Sequence, residues 1–291
     1  MGRAAAHWPM RIIVHGGAGS QPDEPEPRQA VLDDAAEAGA AEADPVDAVE
    51  AAVNVLEASD RFNAGYGGAV QSDGRVRTDA GLMTSDRETG AVASMDGVQE
   101  AISAARVVLE ETPHIFVSGE HAVDLAGEFG VETDVELLTS EKREEYADED
   151  PPEAGPKAHL DWLEERFGGH DTVGAVAFED GEFAAATSTG GRSWALAGRV
   201  GDVPQVGSGF YCTPAGGASA TGAGEDIAKV TLSQRAVDKL DAGADAQTAA
   251  DDAIAEFDEL TGSSAGVIVC GEETTGAAFN SDGMQTSTAT R

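Results

Sequence analysis

The spacing of apolar positions changes character near residue 172, where a first part of alternating helical periodicity and short apolar runs gives way to a strand-rich second part. Arg11-Ile12-Ile13-Val14-His15 reads as a buried central strand ending in a tight glycine turn, Gly16-Gly17-Ala18-Gly19. Helical spacing follows over 28–43 and 44–58. In the second segment Asp44 is placed to cap, Pro45 to take the first helical position, and Val46, Val49, Val53 and Leu56 to form the buried stripe. Phe62 to Gly68 interrupts this as a glycine-bearing loop. The pattern then predicts strands over 70–76, 78–83 and 91–95, and a helix over 98–111 that stops at Thr112-Pro113, because a residue before proline leaves helical geometry.

Residues 132–169 are acidic and proline-bearing, with helical spacing only over 159–167, and the remainder reads as a solvated linker. Beyond residue 172 the expected strands are 173–178, 182–187, 205–211, 218–221, 266–270 and 276–279, with helices over 225–240 and 246–260. Neither half has enough strands to close its own core, so 1–291 is expected to be a single domain. Strands in the middle and helices in pairs on either side point to a layered α/β sandwich.

One turn sets a register. Glu179-Asp180-Gly181-Glu182 lies between two apolar runs, and Asp-Gly in that position is a two-residue hairpin signal. The pairing it dictates puts Phe178 opposite Phe183 and Thr172 opposite Thr189, with the two threonine Cβ atoms about 5 Å apart on one face. Such a pair either serves chemistry or only stabilises the sheet.

Composition adds an electrostatic constraint: Asp and Glu total 54 against 18 Lys and Arg in 291 residues, a formal charge of −36. Self-repulsion of this size weakens a fold in dilute buffer and repels nucleic acid and anionic membrane, so neither is an expected partner. It suits a salt-rich cytosol, the alternative being an ordinary acidic protein. Cys212 and Cys270 are too few for a metal site and read as buried free thiols, with a single disulfide as the alternative. No run approaches the roughly 18 apolar residues of a membrane span, and Met1 to Pro9 lacks the apolar core of a signal peptide, so the expected location is the cytoplasm. That first stretch is either an extension or precedes a true start at Met10. The glycines at 16–19 lack the third glycine of a dinucleotide fingerprint, and no glycine run ends in Gly-Lys-Ser/Thr.

Four motifs occur in order: His170-Asp171-Thr172-Val173-Gly174-Ala175-Val176, Ala186-Thr187-Ser188-Thr189-Gly190-Gly191, Gly198-Arg199-Val200-Gly201-Asp202 and Ala220-Thr221-Gly222-Ala223-Gly224-Glu225. With His15-Gly16-Gly17-Ala18-Gly19 and Phe62-Asn63-Ala64-Gly65-Tyr66-Gly67, they resemble the plant-type L-asparaginase and isoaspartyl peptidase family of N-terminal-nucleophile hydrolases over nearly the whole chain. The resemblance implies a four-layer αββα sandwich that cleaves itself between Asp171 and Thr172. The products would be 1–171, with a mobile acidic tail over 132–171, and 172–291, with the nucleophile at its N-terminus. It implies release of L-aspartate from L-asparagine or β-aspartyl dipeptides, no required cofactor, and a dimer of cleaved heterodimers.

The same resemblance implies roles: Thr172 as nucleophile with Thr189 beside it, Asn63 near the amine, Thr221 and Gly222 at the oxyanion, and Arg199 and Asp202 holding substrate with Thr221, Gly222 and Gly224. It also implies a structural sodium ion on the backbone carbonyls of Leu56, Glu57, Phe62, Ala64 and Tyr66. The chain departs from the family pattern at Met83-Thr84-Ser85-Asp86, where Met-Asp-Gly is usual, so the pocket edge is expected to differ there.

These residue types suit acyl transfer. A threonine hydroxyl needs a base, and cleavage before Thr172 frees an α-amine of unperturbed pKa about 7.7–8.0 on the same residue. His170 and Asp171 would flank the ester intermediate and assist, or are loop residues without a role. Thr221-Gly222 offers a hydroxyl and an N–H to an oxyanion, or merely caps the following helix. Arg199 can bind a carboxylate in bidentate fashion and Asp202 an ammonium, or the two form a surface ion pair. Asn63, from its own context, is a loop residue bonding its own backbone. Two other readings stay open: a glycosylasparaginase, whose relatives also carry His-Asp-Thr, and an inactive sandwich that binds a small molecule and keeps its chain intact.

The charge generates the first prediction. Stability and activity should rise as salt is raised to molar levels, where the Debye length falls to about 3 Å. Thermal unfolding across a salt series checks this, and greatest stability in dilute buffer would refute it.

Overall fold

The computed structural model describes residues 9–152, 155–164 and 172–291. In chain order the elements are β1 (Arg11–Gly19), α1 (Pro25–Ala41), α2 (Pro45–Glu57), β2 (Arg77–Thr84), β3 (Thr89–Asp96), α3 (Ala101–Glu111), β4 (Phe116–Ser118), α4 (Glu120–Glu128), α5 (Ser140–Asp148) and α6 (Pro156–Glu164). There follow β5 (Val173–Glu179), β6 (Glu182–Thr189), β7 (Phe210–Thr213), β8 (Gly216–Gly222), α7 (Gly224–Val230), α8 (Leu232–Asp241), α9 (Ala246–Thr261), β9 (Ala265–Gly271), β10 (Thr275–Phe279) and β11 (Gly283–Thr290). One sheet has the order β11-β1-β5-β6-β2-β3-β4 and the other β10-β9-β8-β7. Among the described residues no helix is long and apolar enough to cross a membrane.

Strand alternation produces the layers. On β5, Val173, Ala175 and Ala177 join Ile12, Val14, Ala184 and Ala186 in a core shared with the stripe of α2, which includes Val49, Val53 and Leu56. Val176 and Phe178 point the other way and join Ile13, Phe183 and Ala185 in a second core with β8, β9 and helices α8 and α9. Each sheet thus buries both faces, and helices cover the two outer ones in the αββα order. Asp44 accepts from the Val46 N–H at 2.8 Å, a cap at the position its spacing predicts. The Asp180-Gly181 turn has φ 49° and 95°, the positive pair a two-residue hairpin requires, and β5 and β6 pair from Val173↔Ser188 to Glu179↔Glu182. Cys212 and Cys270 are free and buried.

Several expectations need correction. Residues 70–76 form no strand: the Gln71 N–H donates to Arg75 O and the Gly74 N–H to Gln71 O, both at 2.9 Å, closing a turn. β1 continues through the glycines to Gly19 with an irregularity between His15 and Ala18, and it lies second from the sheet edge instead of at the centre. The strand expected over 205–211 starts only at Phe210, after a turn at Gly207. The single helix expected over 225–240 breaks at Thr231 (φ 56°), because the start of α8 is drawn to that turn: Gln234 N–H donates to Gly207 O at 2.9 Å and Ser233 Oγ to Ser208 O at 2.7 Å. The pattern of apolar positions does not predict β4, α4 or β11. β11 carries Thr and Ser where alternation looks for apolar residues, and its half-exposed edge position needs none.

Nor is the acidic stretch an open linker. Helix α5 lays Tyr146 against Trp194 with ring centroids 6.0 Å apart, and Trp162 of α6 meets Trp194 edge-on at 5.8 Å. Tyr146 Oη donates to Ser72 O at 3.1 Å and Lys142 Nζ to Gly68 O at 3.1 Å. The helical expectation over 159–167 is met as far as Glu164, its remainder lying outside the described residues, as do His170 and Asp171.

This docking yields the second prediction. Trp194→Ala removes the surface both aromatic rings share, so limited proteolysis between Tyr146 and Trp162 should speed up by about tenfold or more while the thermal midpoint of the sandwich moves by only a few degrees. Unchanged resistance would show that other contacts hold the two helices.

Candidate active site

The space between the two sheets is not uniform along the strands. At one end its inner-facing residues are Ile13, Val176, Phe178 and Phe183; toward the other they become His15, Gly174, Thr187 and Ser219. One side-chain step further lie Thr172, Thr189 and Thr221, buried to 5%, 3% and 0% exposure. Thr172 immediately precedes β5, and the β5–β6 ladder carried on by one pair sets it opposite Thr189. The third threonine comes from the facing sheet. A β-carbon on Gly217 would press on Val176, and one on Gly174 would overlap Ser219 Oγ, so the inner faces of β5 and β8 run past each other in opposite directions. The next positions on those faces are Thr172 and Thr221.

Asn63 ties the loop at 62–68 to this end. Its Nδ2 donates to Gly191 O at 2.6 Å and approaches Thr189 Oγ1 at 3.5 Å, while its Oδ1 accepts from Ala69 N–H at 2.7 Å. It therefore bonds beyond its own loop. Thr221 Oγ1 accepts from Ala18 N–H at 3.3 Å. It does not cap the next helix, whose N-cap is Ala223 without a side-chain bond. Gly222 has φ 134°, a conformation that suits glycine.

Arg199 and Asp202 are not a surface pair. The Arg199 side chain is 16% exposed and donates from Nε to Glu225 Oε1 at 2.8 Å, and Arg192 Nη1 reaches Glu225 Oε2 at 3.2 Å. Asp202 is 4% exposed, with Oδ2 lacking a hydrogen-bond partner among the described residues. A β-carbon on Gly224 would lie 2.6 Å from Asp202 Oδ1 and 2.8 Å from Arg199 Nη2, so glycine there lets the carboxylate and the guanidinium share one wall. Burial pushes Asp202 up to about 6, against the pull of Arg199. Asp79, paired with Thr189 across β2 and β6, is likewise pushed up to about 7 by burial, opposed by the Ser94 N–H and by Arg199. Behind β6, the buried Glu57 carboxyl accepts from Ser188 Oγ and from Ile102 N–H, and burial raises it to about 8.

Nothing in the sequence pattern assigns a role to Glu225, Arg192 or Asp79. Glu225 ends the motif that starts at Ala220, but nothing in its spacing says that it holds an arginine 26 residues away. The departure at Met83 to Asp86 bears on a different place: β2 runs from Asp79 beside Thr189 to Thr84 beside Ala184, so those residues sit at the opposite end of the strand. An open cavity of about 1090 Å³ borders the site on the Asn63 side, with Gly17, Ala69, Arg28 and Ser193 also in its lining.

Chemically, the arrangement offers a buried hydroxyl with a second hydroxyl beside it, a third with an N–H opposite, and a guanidinium and carboxylate side by side. The sequence pattern of the family described as asparaginase matches residues 8–291. A plant-type L-asparaginase of Pyrobaculum calidifontis is 43% identical over 257 residues, 84% of each chain, and one of Pyrococcus furiosus is 41% identical over 260 residues with the same coverage. An isoaspartyl peptidase/L-asparaginase of Rattus norvegicus is 36% identical over 252 residues, 83% of this chain and 74% of the relative. A match running from residue 8 through all three threonines to the last residue leaves no ambiguity of descent, and the chain belongs to the asparaginase family.

Proposed function

We propose that this chain is a self-cleaving threonine amidohydrolase that releases L-aspartate from L-asparagine and from β-aspartyl dipeptides. The supporting observation is the convergence of Thr172, Thr189 and Thr221 at one end of the inter-sheet space. In maturation, Thr172 Oγ attacks the carbonyl carbon of Asp171, the bond to the Thr172 nitrogen breaks, and water hydrolyses the resulting ester. The freed amine then serves as the base on the nucleophile's own residue, poised near neutrality. In turnover, the hydroxyl attacks the side-chain amide of the substrate, Thr221 Oγ1 and the Gly222 N–H receive the developing oxyanion, and ammonia or an amino acid departs before water releases aspartate.

Recognition follows from charge. Glu225 occupies Arg199 Nε, which leaves the Nη edge of the guanidinium for the α-carboxylate, and Asp202 beside it faces the α-ammonium. The proposal includes a dimer of cleaved heterodimers as the assembled form. It also includes a structural sodium ion held by the carbonyls of Leu56, Glu57, Phe62, Ala64 and Tyr66. The loop fits that role in part: Glu57 O accepts from Tyr66 N–H at 2.9 Å and keeps a second lone pair, while Leu56 O lies at the same helix end and accepts from Ser59 N–H at 3.2 Å. Neutral carbonyl oxygens suit a monovalent cation that organises the loop and takes no part in the reaction.

Self-cleavage is checked by intact mass. Wild type should resolve into 1–171 and 172–291, while Thr172→Ala stays whole; an uncleaved wild-type chain that hydrolyses asparagine would refute the mechanism. Recognition is checked by Arg199→Lys, which keeps the charge but loses both the Nε bond to Glu225 and the planar fork. It should lower kcat/KM for β-aspartyl dipeptides by roughly 10- to 100-fold and leave self-cleavage nearly untouched. Wild-type kcat/KM in the processed variant would remove Arg199 from the pocket.

A further inference from the structure

Beneath the three threonines lies a second polar layer that the proposed chemistry does not use. His15, fully buried on β1, brings Nε2 to 3.0 Å from Ser219 Oγ; Ser219 Oγ is 2.7 Å from Thr187 Oγ1; and Thr187 Oγ1 donates to Gly209 O at 2.7 Å. The proton order of this chain follows from counting donors. Gly209 O can only accept, so the Thr187 hydrogen goes to it; Thr187 then accepts from Ser219, and Ser219 accepts from His15. Three contacts need three hydrogens, and only a ring protonated at Nε2 supplies the third.

Each member of the layer is tied to one of the threonines by a step of two residues along a strand face, Ser219 and Thr187 directly and His15 through its register partner. Ser219 precedes Thr221 on β8 and Thr187 precedes Thr189 on β6. His15 pairs in register with Gly174, two residues after Thr172. A β-carbon on Gly174 would overlap both Ser219 Oγ and His15 Nε2, so glycine at that position lets ring and hydroxyl lie flat against β5. Successive residues on one face of a strand are about 6–7 Å apart, so this layer braces β1, β5, β6 and β8 one side-chain row below the reacting groups.

We propose that His15, donating from Nε2 into the Ser219–Thr187 chain, is a positioning residue that sets the mutual spacing of Thr172, Thr189 and Thr221. The proposal rests on the reading of Thr172 as nucleophile. Burial drives the ring down to about 3, outweighing the Thr172 backbone, which favours the charged form, and reinforced by Arg28. The ring is therefore neutral at physiological pH. Its Nδ1 has no hydrogen-bond partner among the described residues, which leaves Nε2 as the engaged nitrogen, and the Thr172 backbone acts on the ring without a full hydrogen bond.

The experiment combines one spectroscopic and one kinetic readout. In 15N-labelled wild type, assigned by comparison with His15→Gln, the His15 ring should be protonated at Nε2 only and should not titrate between about pH 5 and 9. A ring protonated at Nδ1, or one that titrates in that range, overturns the proposal. His15→Ala should lower kcat by about 10- to 100-fold with KM nearly unchanged and slow self-cleavage in parallel, because geometry at the nucleophile is lost while Arg199 and Asp202 stay in place. His15→Gln, which can place an N–H near the Nε2 position, should recover most of that loss. Wild-type kcat in His15→Ala, or no recovery in His15→Gln, overturns the proposal. Should His15→Ala fail to fold, Ser219→Ala decides: the same kcat loss supports the brace and wild-type kcat refutes it. Thr172→Ala, run alongside, separates the two readings, since a cleaving, active Thr172→Ala removes the nucleophile assignment whatever His15 does.

Discussion

The close approach of β5 to β8 is the contact on which the rest of the molecule depends. Facing sheets usually stand about 10 Å apart, with side chains interdigitating between them. Here Gly174 and Gly217 remove the side chain from one partner at two successive crossings, so Ser219 Oγ and Val176 reach the opposite backbone. The apolar half of the interface supplies the burial that holds the sheets together, while the hydroxyl half is excluded from water because the apolar half fixes its spacing. A pocket of threonines buried to 5% exposure or less is a consequence of that arrangement.

Electrostatics at the site runs against the character of the whole chain. A protein of formal charge −36 places a mostly buried guanidinium, Arg199, among Glu225, Asp202 and Asp79. Burial raises both aspartates, which lowers the negative charge the pocket carries near neutrality, and Arg199 opposes that rise in each. The wall thus sets a positive and a negative group side by side in a buried setting, where each interacts more strongly with its neighbour than it would in water.

The acidic stretch before Thr172 shows how a few aromatic residues outweigh composition. Helix α5 has no buried residue, yet Tyr146 reaches the rings of Trp194, and Trp162 closes the same cluster from α6. A short segment rich in Asp and Glu lacks the apolar area to fold alone, so its order comes from the surface that receives it.

What the sequence by itself determined was local or periodic: the capped α2, the hairpin at Asp180-Gly181 with the register that sets Thr172 against Thr189, and the layered class of the fold. These follow from turn chemistry and from a strand period of two, which need only neighbours in the chain. The site motifs were legible as a resemblance. Only the tertiary structure decided which groups share a wall. Thr221 meets the threonine pair through the crossing of two sheets, Glu225 holds Arg199 across a loop and two strands, and His15 finds Ser219 across 204 residues. The edge strand β11 and the break at Thr231 were equally hidden, because hydrogen bonds to distant backbone create them and no local period records such bonds.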